Sequence, residues 1–129
     1  MIVMDTNIWV WWANQARALR RRHRDIIDEN APTGLGVSVI SCWEVAKLVE
    51  KGRLKLSKPV GEWIGTALEL PDVVLLPLTP EIAIESAQLP PPIHADPADQ
   101  LIIATARVLQ VPLLTADKRL IDYPDVVTL

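Results

Sequence analysis

Four acidic residues in this chain, Asp5, Glu44, Asp99 and Asp117, share one kind of address: each lies at or just after the point where an apolar segment enters a helix. Alone, each has an ordinary explanation. Asp5 and Asp117 suit helix starts, and Asp99 suits a helix's first turn, three residues after Asp96 with Pro97 between them. Ser41-Cys42-Trp43-Glu44 reads as a capping box, in which the glutamate reaches back to the serine amide. Taken together they imply chemistry. Carboxylates gathered in one place repel, so they hold protons or demand a cation. Helix N-termini beneath Glu44 and Asp99 are expected to help keep them ionised. An all-oxygen donor set suits magnesium or manganese, and the chain has no histidine pair or cysteine set for structural zinc.

A divalent ion held by carboxylates can lower the pKa of water and offset charge on a phosphodiester. Asp5 and Asp99 are expected on a principal ion, with Glu44 and Asp117 on a second ion or positioning water. Thr6, Asn7 and Thr115 supply short polar groups for supporting hydrogen bonds. Asp96 either caps its helix or adds a peripheral carboxylate.

The elements that must position these residues follow from apolar patterning. Ile2 to Met4 reads as a buried strand, followed by a helix capped by Thr6 and broken at Asn14 to Ala16. Ala18 to Glu29 reads as a charged helix with Leu19, Ile26 and Ile27 inward, and Leu35 to Ile40 as a second strand. A helix from Ser41 to about Lys51 is stopped by Gly52, and another spans Val60 to Leu70. Val73 to Leu78 is a third strand, and Thr79 caps a helix to about Gln88 with Pro80 at its first position. After the extended loop at Pro90-Pro91-Pro92, Asp96-Pro97 starts a helix to about Leu109. Pro112 to Thr115, Lys118 to Ile121 and Val126 to Thr128 read as strand, short helix and last strand. Short apolar strands alternating with helices predict an α/β sandwich with a mostly parallel sheet. Ligand sites in such sheets lie beyond the carboxyl ends of the strands, where the four acids would collect.

At 129 residues, half of them hydrophobic, the chain suits a single domain over 1–129. No apolar run is long enough to span a membrane, and the opening Met-Ile-Val-Met-Asp lacks the basic start of a signal peptide. The single Cys42 excludes an internal disulfide, and the cytoplasm is the expected compartment. A net charge of −3 argues against a large sequence-independent nucleic-acid surface. Basic residues nevertheless cluster at Arg17 to Arg24 and at Lys51 to Lys58, so charge alone does not decide the partner.

Four stretches carry a resemblance: Met-Asp-Thr-Asn-Ile at 4–8, Ile-Ser-Cys-Trp-Glu at 40–44, His-Ala-Asp-Pro-Ala-Asp-Gln-Leu-Ile-Ile-Ala-Thr-Ala at 94–106, and Leu-Thr-Ala-Asp at 114–117. In order and spacing, over essentially the whole chain, they resemble the PIN-domain family, and within it the VapC toxins of bacterial toxin–antitoxin pairs. The resemblance implies a three-layer α/β/α fold and a magnesium- or manganese-dependent endoribonuclease with Asp5, Glu44, Asp99 and Asp117 as its acids. It matches Thr6, Asn7 and Thr115 to the polar positions beside them. It also implies an RNA substrate, a homodimer and inhibition by a VapB-type antitoxin. Gln100 departs from the pattern, standing where relatives often carry arginine.

His94 reads as a solvated loop histidine, and Cys42 as a small buried residue. Trp43 is assigned to the core, whereas Trp11 and Trp12, being adjacent, cannot both face inward and suggest an interface. Two other functions compete with RNA cleavage. One is an aspartate-nucleophile phosphotransferase using Asp5, with Lys118 nearby; against it, position 7 is Asn, where common aspartate phosphatases carry a second acid. The other is a non-catalytic interaction module; a decayed site should have lost at least one of the four acids.

Overall fold

The computed structural model describes residues 1–129. Four strands, β1 (Ile2–Met4), β2 (Leu35–Ser38), β3 (Val73–Leu76) and β4 (Leu113–Leu114), form one parallel sheet in the order β3-β2-β1-β4. The register pairs Ile2 with Leu35, Val3 with both Gly36 and Leu113, and Leu35 with Val73. Helices α1 (Thr6–Ala13), α2 (Arg21–Asn30), α3 (Val39–Glu50), α4 (Val60–Leu68), α5 (Pro80–Ala87), α6 (Pro97–Leu109) and α7 (Lys118–Ile121) connect the strands, with a 3₁₀ turn at Ala31–Thr33.

Side chains alternate across a strand, so a sheet buried on both faces needs two apolar sets. Both are present. Ile2, Met4, Leu35, Val37 and Leu114 join Ile8, Trp9, Val45 and Trp63 on one face. Val3, Leu76 and Leu113 join Ile102, Ile103, Ala106 and Leu120 on the other. The sandwich expected from sequence is the one formed. Trp9 and Trp63 meet edge to face with ring centroids 5.2 Å apart, and Trp63 Nε1 donates to Asn14 Oδ1 at 2.8 Å. Burying each indole contributes ~3 kcal/mol, provided its N–H finds an acceptor. Gly36 exists for packing: a Cβ there would sit 2.7 Å from Leu76 Cδ1 and 3.1 Å from the Ile2 carbonyl oxygen.

Several boundaries differ from the sequence expectation. Asp5, not Thr6, is the N-cap of α1, its carboxylate accepting from the Thr6 amide at 2.8 Å. Strand β2 stops at Ser38, whose hydroxyl caps α3 by accepting from the Ile40 amide. Ser41 therefore lies inside α3, the capping box does not form, and Glu44 is too far along the helix to be a first-turn acid. Helix α2 starts at Arg21, beyond Ala18, and the expected last strand reduces to one bridge between Leu113 and Thr128. Gly52 does follow α3, at φ +70, a conformation costly for residues with a Cβ. No helix is long and apolar enough to cross a membrane.

Candidate functional site

The carboxyl ends of β1, β2 and β4 lead into one acidic cleft. Its lining is Asp5, Thr6, Asn7, Glu44, Leu48, Asp96, Asp99, Asp117 and Arg119, around a space of about 100 Å³. Four elements deliver the acids: Asp5 directly follows β1, the chain after β4 runs through Thr115 to Asp117, the first turn of α6 carries Asp99, and α3 carries Glu44. Glu44 comes from the second turn of α3, which packs against both α1 and α6. The four predicted acids and Asp96 thus share one depression, although they come from segments far apart in sequence.

Hydroxyl groups hold two of the acids. Asp5 is 5 % exposed, and Thr115 Oγ1 donates to its Oδ2 at 2.7 Å while the Thr6 amide holds Oδ1. The same Thr115 oxygen accepts from the Asp117 amide at 3.0 Å, tying the β1 and β4 ends together. Thr6 Oγ1 donates to Glu44 Oε1 at 2.5 Å and lies 2.8 Å from Ser41 Oγ. A threonine hydroxyl has one proton, so Ser41 must be the donor to Thr6, in a chain Ser41 to Thr6 to Glu44. Asn7 lines the cleft, exposed, and makes no hydrogen bond to the acids.

Asp96 caps α6 and also lines the cleft. Its Oδ1 accepts from the Ala98 and Asp99 amides, capping α6, and one carboxylate oxygen each from Glu44, Asp96 and Asp99 lie within 4.8 Å of one another. Asp5 and Asp117 stand outside that trio. Asp117 instead caps α7 and is gripped by Arg119, whose Nη2 and Nε lie 2.9 and 3.3 Å from its two oxygens. Arg119 Nη2 is also 3.8 Å from Asp99 Oδ2. His94 is not solvated: its side chain is 20 % exposed, with Nε2 3.3 Å from Asp99 Oδ2, though without the alignment of a hydrogen bond. Gln100 donates to the His94 carbonyl at 3.0 Å, fixing that loop against α6.

The electrostatics follow from crowding in a poorly hydrated cleft. Burial first, then the charges of Asp5, Asp96, Glu44 and Asp117, push Asp99 from 3.8 up to about 7. Burial also raises Asp5 and Glu44, opposed by the hydrogen bonds from Thr115 and Thr6. Asp117 moves the other way, because Arg119 donates to its carboxylate. A cluster that resists full ionisation is one that a cation would stabilise. Hard oxygen donors converging from Glu44, Asp96 and Asp99 fit magnesium or manganese by charge and donor type. The largest cavity, about 600 Å³, lies elsewhere, beside Pro112 at the start of β4. Its one arginine, Arg107, is already engaged by Glu85 and the Asp125 carbonyl, and it gathers no comparable set of free acids.

Sequence reasoning missed the roles of Ser41, Arg119 and His94. Ser41 looked like a cap, Arg119 is a lone arginine two residues past an acid, and His94 depends on a loop path. Trp43, expected in the core, is 53 % exposed, while Trp11, Trp12 and Cys42 are partly buried against the core.

Comparison with known proteins agrees with this architecture. Residues 2–126 match the PIN domain family. The chain is 33 % identical over 119 residues to ribonuclease VapC22 of Mycobacterium tuberculosis (strain ATCC 25618 / H37Rv), covering 92 % of this chain and 88 % of that protein. The fold is similar to VapBC2 from Rickettsia felis bound to a promoter DNA fragment, with a TM-score of 0.74 and 18 % identity over 100 % of this chain and 98 % of that one. It is also similar to a toxin–antitoxin complex from Klebsiella pneumoniae, with a TM-score of 0.67 and 22 % identity over 99 % and 97 % of the two chains. The chain belongs to the PIN-domain family, among its VapC-type members.

Proposed function

We propose that this protein is a divalent-metal-dependent endoribonuclease acting as the toxin of a toxin–antitoxin pair. The observation that carries the reading is the convergence of Glu44, Asp96 and Asp99 oxygens within 4.8 Å, in a cleft also lined by Asp5 and Asp117. The 33 % identity to a ribonuclease supports RNA as the substrate class. Glu44, Asp96 and Asp99 would hold magnesium or manganese, with Asp5 and Asp117 beside them. The ion supplies Lewis acidity toward a scissile phosphate and acidifies water for attack.

The chain's own groups prepare that chemistry. Ser41 and Thr6 fix the Glu44 carboxylate, and Thr115 fixes Asp5, so the acids need little reordering when a cation arrives. Asp99, protonated over much of the acidic range, must release its proton before it can act as an ionised ligand. The geometry favours hydrolysis over phosphoryl transfer to Asp5. Both Asp5 oxygens accept hydrogen bonds and the residue is 5 % exposed, which suits a held acid better than a nucleophile. Lys118, the amine such a transferase would use, pairs with Asp122 at 2.6 Å and is 85 % exposed.

Labelled RNA incubated with the purified chain should be cut with magnesium or manganese, remain intact with EDTA, and remain intact with Asp99→Asn. RNA cleavage that persists in EDTA would overturn this reading. The relatives crystallised as VapBC and toxin–antitoxin complexes support a VapB-type antitoxin partner, and we assign the chain to a homodimer. Co-expression with the product of a small adjacent gene should suppress cleavage. Light scattering should give twice the 14.3 kDa chain mass.

A further inference from the structure

We propose that Arg119 is a substrate-contacting residue that leaves Asp117 to bind an RNA backbone phosphate at the cleft mouth. This rests on the endoribonuclease reading above. The cleft presents five carboxylates to a polyanion, and Arg119 is the one cation among its nine lining residues. Without an adjacent positive group, the outer acids would repel the phosphates flanking the cut. The backbone of Arg119 is well placed, because its neighbour Leu120 is fully buried and pins α7 to the core. Its side chain is 62 % exposed, so the guanidinium lies at the rim within reach of a bound strand.

In the structure the guanidinium engages the two oxygens of Asp117 and lies 3.8 Å from Asp99 Oδ2. That forked grip has the geometry by which a guanidinium takes a phosphate. An exposed ion pair is weakly held, and each partner has an alternative. Asp117 keeps the Arg119 amide on its Oδ1, and its own amide stays on the Thr115 hydroxyl, so the carboxylate is positioned without the guanidinium. The exchange moves one guanidinium from a carboxylate to a phosphate and breaks no covalent bond.

The test compares wild type with Arg119→Gln and Arg119→Lys. In cleavage assays Arg119→Gln should raise KM by about tenfold, with a smaller change in kcat, and Arg119→Lys should recover part of the loss. A second measurement follows binding of a fluorescent single-stranded RNA in calcium over a range of salt. Losing one phosphate contact should reduce the slope of log Kd against log salt by ~0.7 in Arg119→Gln. An unchanged KM and salt slope in Arg119→Gln would overturn the proposal. So would tighter manganese binding by calorimetry with the RNA parameters unaltered, which would make Arg119 only a counter-ion for Asp117. Absence of cleavage by wild type would instead overturn the endoribonuclease reading, so the two failures are distinguishable.

Discussion

Replacing Asp99 with asparagine should stabilise the metal-free protein while abolishing its activity. Asp99 is 7 % exposed and sits among carboxylates; burial first, and then those charges, push its carboxyl from 3.8 to about 7. Between those values the folded chain holds a proton that the unfolded chain has released. Stability therefore falls as pH rises through that window and levels off above it. The interval from 3.8 to about 7 corresponds to ~4 kcal/mol at ~1.4 kcal/mol per pH unit. Water and counter-ions entering the open cleft screen part of this, and the exposed Arg119 gives back little, leaving ~2 kcal/mol.

Asparagine has the shape of a protonated carboxyl and does not titrate, so the variant's advantage over wild type should be small near pH 5 and reach its full size by pH 8. In EDTA at pH 8 it should melt ~8 °C higher, at ~4 °C per kcal/mol for a chain of this size. Adding magnesium or manganese should reverse the order, because a ligand stabilises whichever protein binds it better. Calorimetric scans at pH 5, 6.5 and 8, with EDTA or metal, measure all of this. A variant that is less stable than wild type at pH 8 in EDTA, or a difference independent of pH, would refute the reasoning.

Two further outcomes test how the site and the core are held. Thr115→Val keeps the side-chain shape but leaves Asp5 Oδ2 and the Asp117 amide without their shared partner; chemical denaturation should register a loss of ~1–3 kcal/mol, with weaker metal binding. Trp63→Ala should cost ~3–5 kcal/mol by urea titration, because it empties a site packed against Trp9 and orphans Asn14 Oδ1, whereas Trp43→Ala at an exposed position should stay within ~0.5 kcal/mol.

The fold was legible where one physical signal acted alone. Ile2 to Met4 and Val73 to Leu78 are short apolar runs and both hold strands, although the second strand ends at Leu76, before Pro77. The segment from Leu35 to Ser41 carried two signals. Val37, Val39 and Ile40 favour an extended chain, and both Ser38 and Ser41 are good caps. The choice is settled by a tertiary contact: the Ser41 hydroxyl is taken by Thr6, 35 residues away, and Ser38 is left to cap. Trp43 was misplaced for a related reason. Ser41 and Val45 are buried one turn apart, so Trp43, two residues from each, faces nearly the opposite side of α3. Convergence of the acids at one edge could be inferred from strand polarity. The Glu44, Asp96 and Asp99 grouping and the inward turn of His94 depend on α3 meeting α6 and on the Gln100 tether, neither of which has a local signature.

The manner in which the acids are restrained bears on what the cleft is for. A site whose carboxylates served only stability would surround them with basic side chains, yet the most buried, Asp5, is held by neutral donors alone. Neutral hydroxyls and amides orient a carboxylate without cancelling its charge, so the attraction for a divalent ion is retained. The one guanidinium present stays at the solvent-facing rim, on Asp117, where it can be exchanged. Two continuous apolar faces, anchored by strands whose ends carry Asp5 and Thr115, keep these like charges together in the folded chain. The sheet thus supplies the rigidity, and the unneutralised charge at its carboxyl edge supplies the affinity for cations.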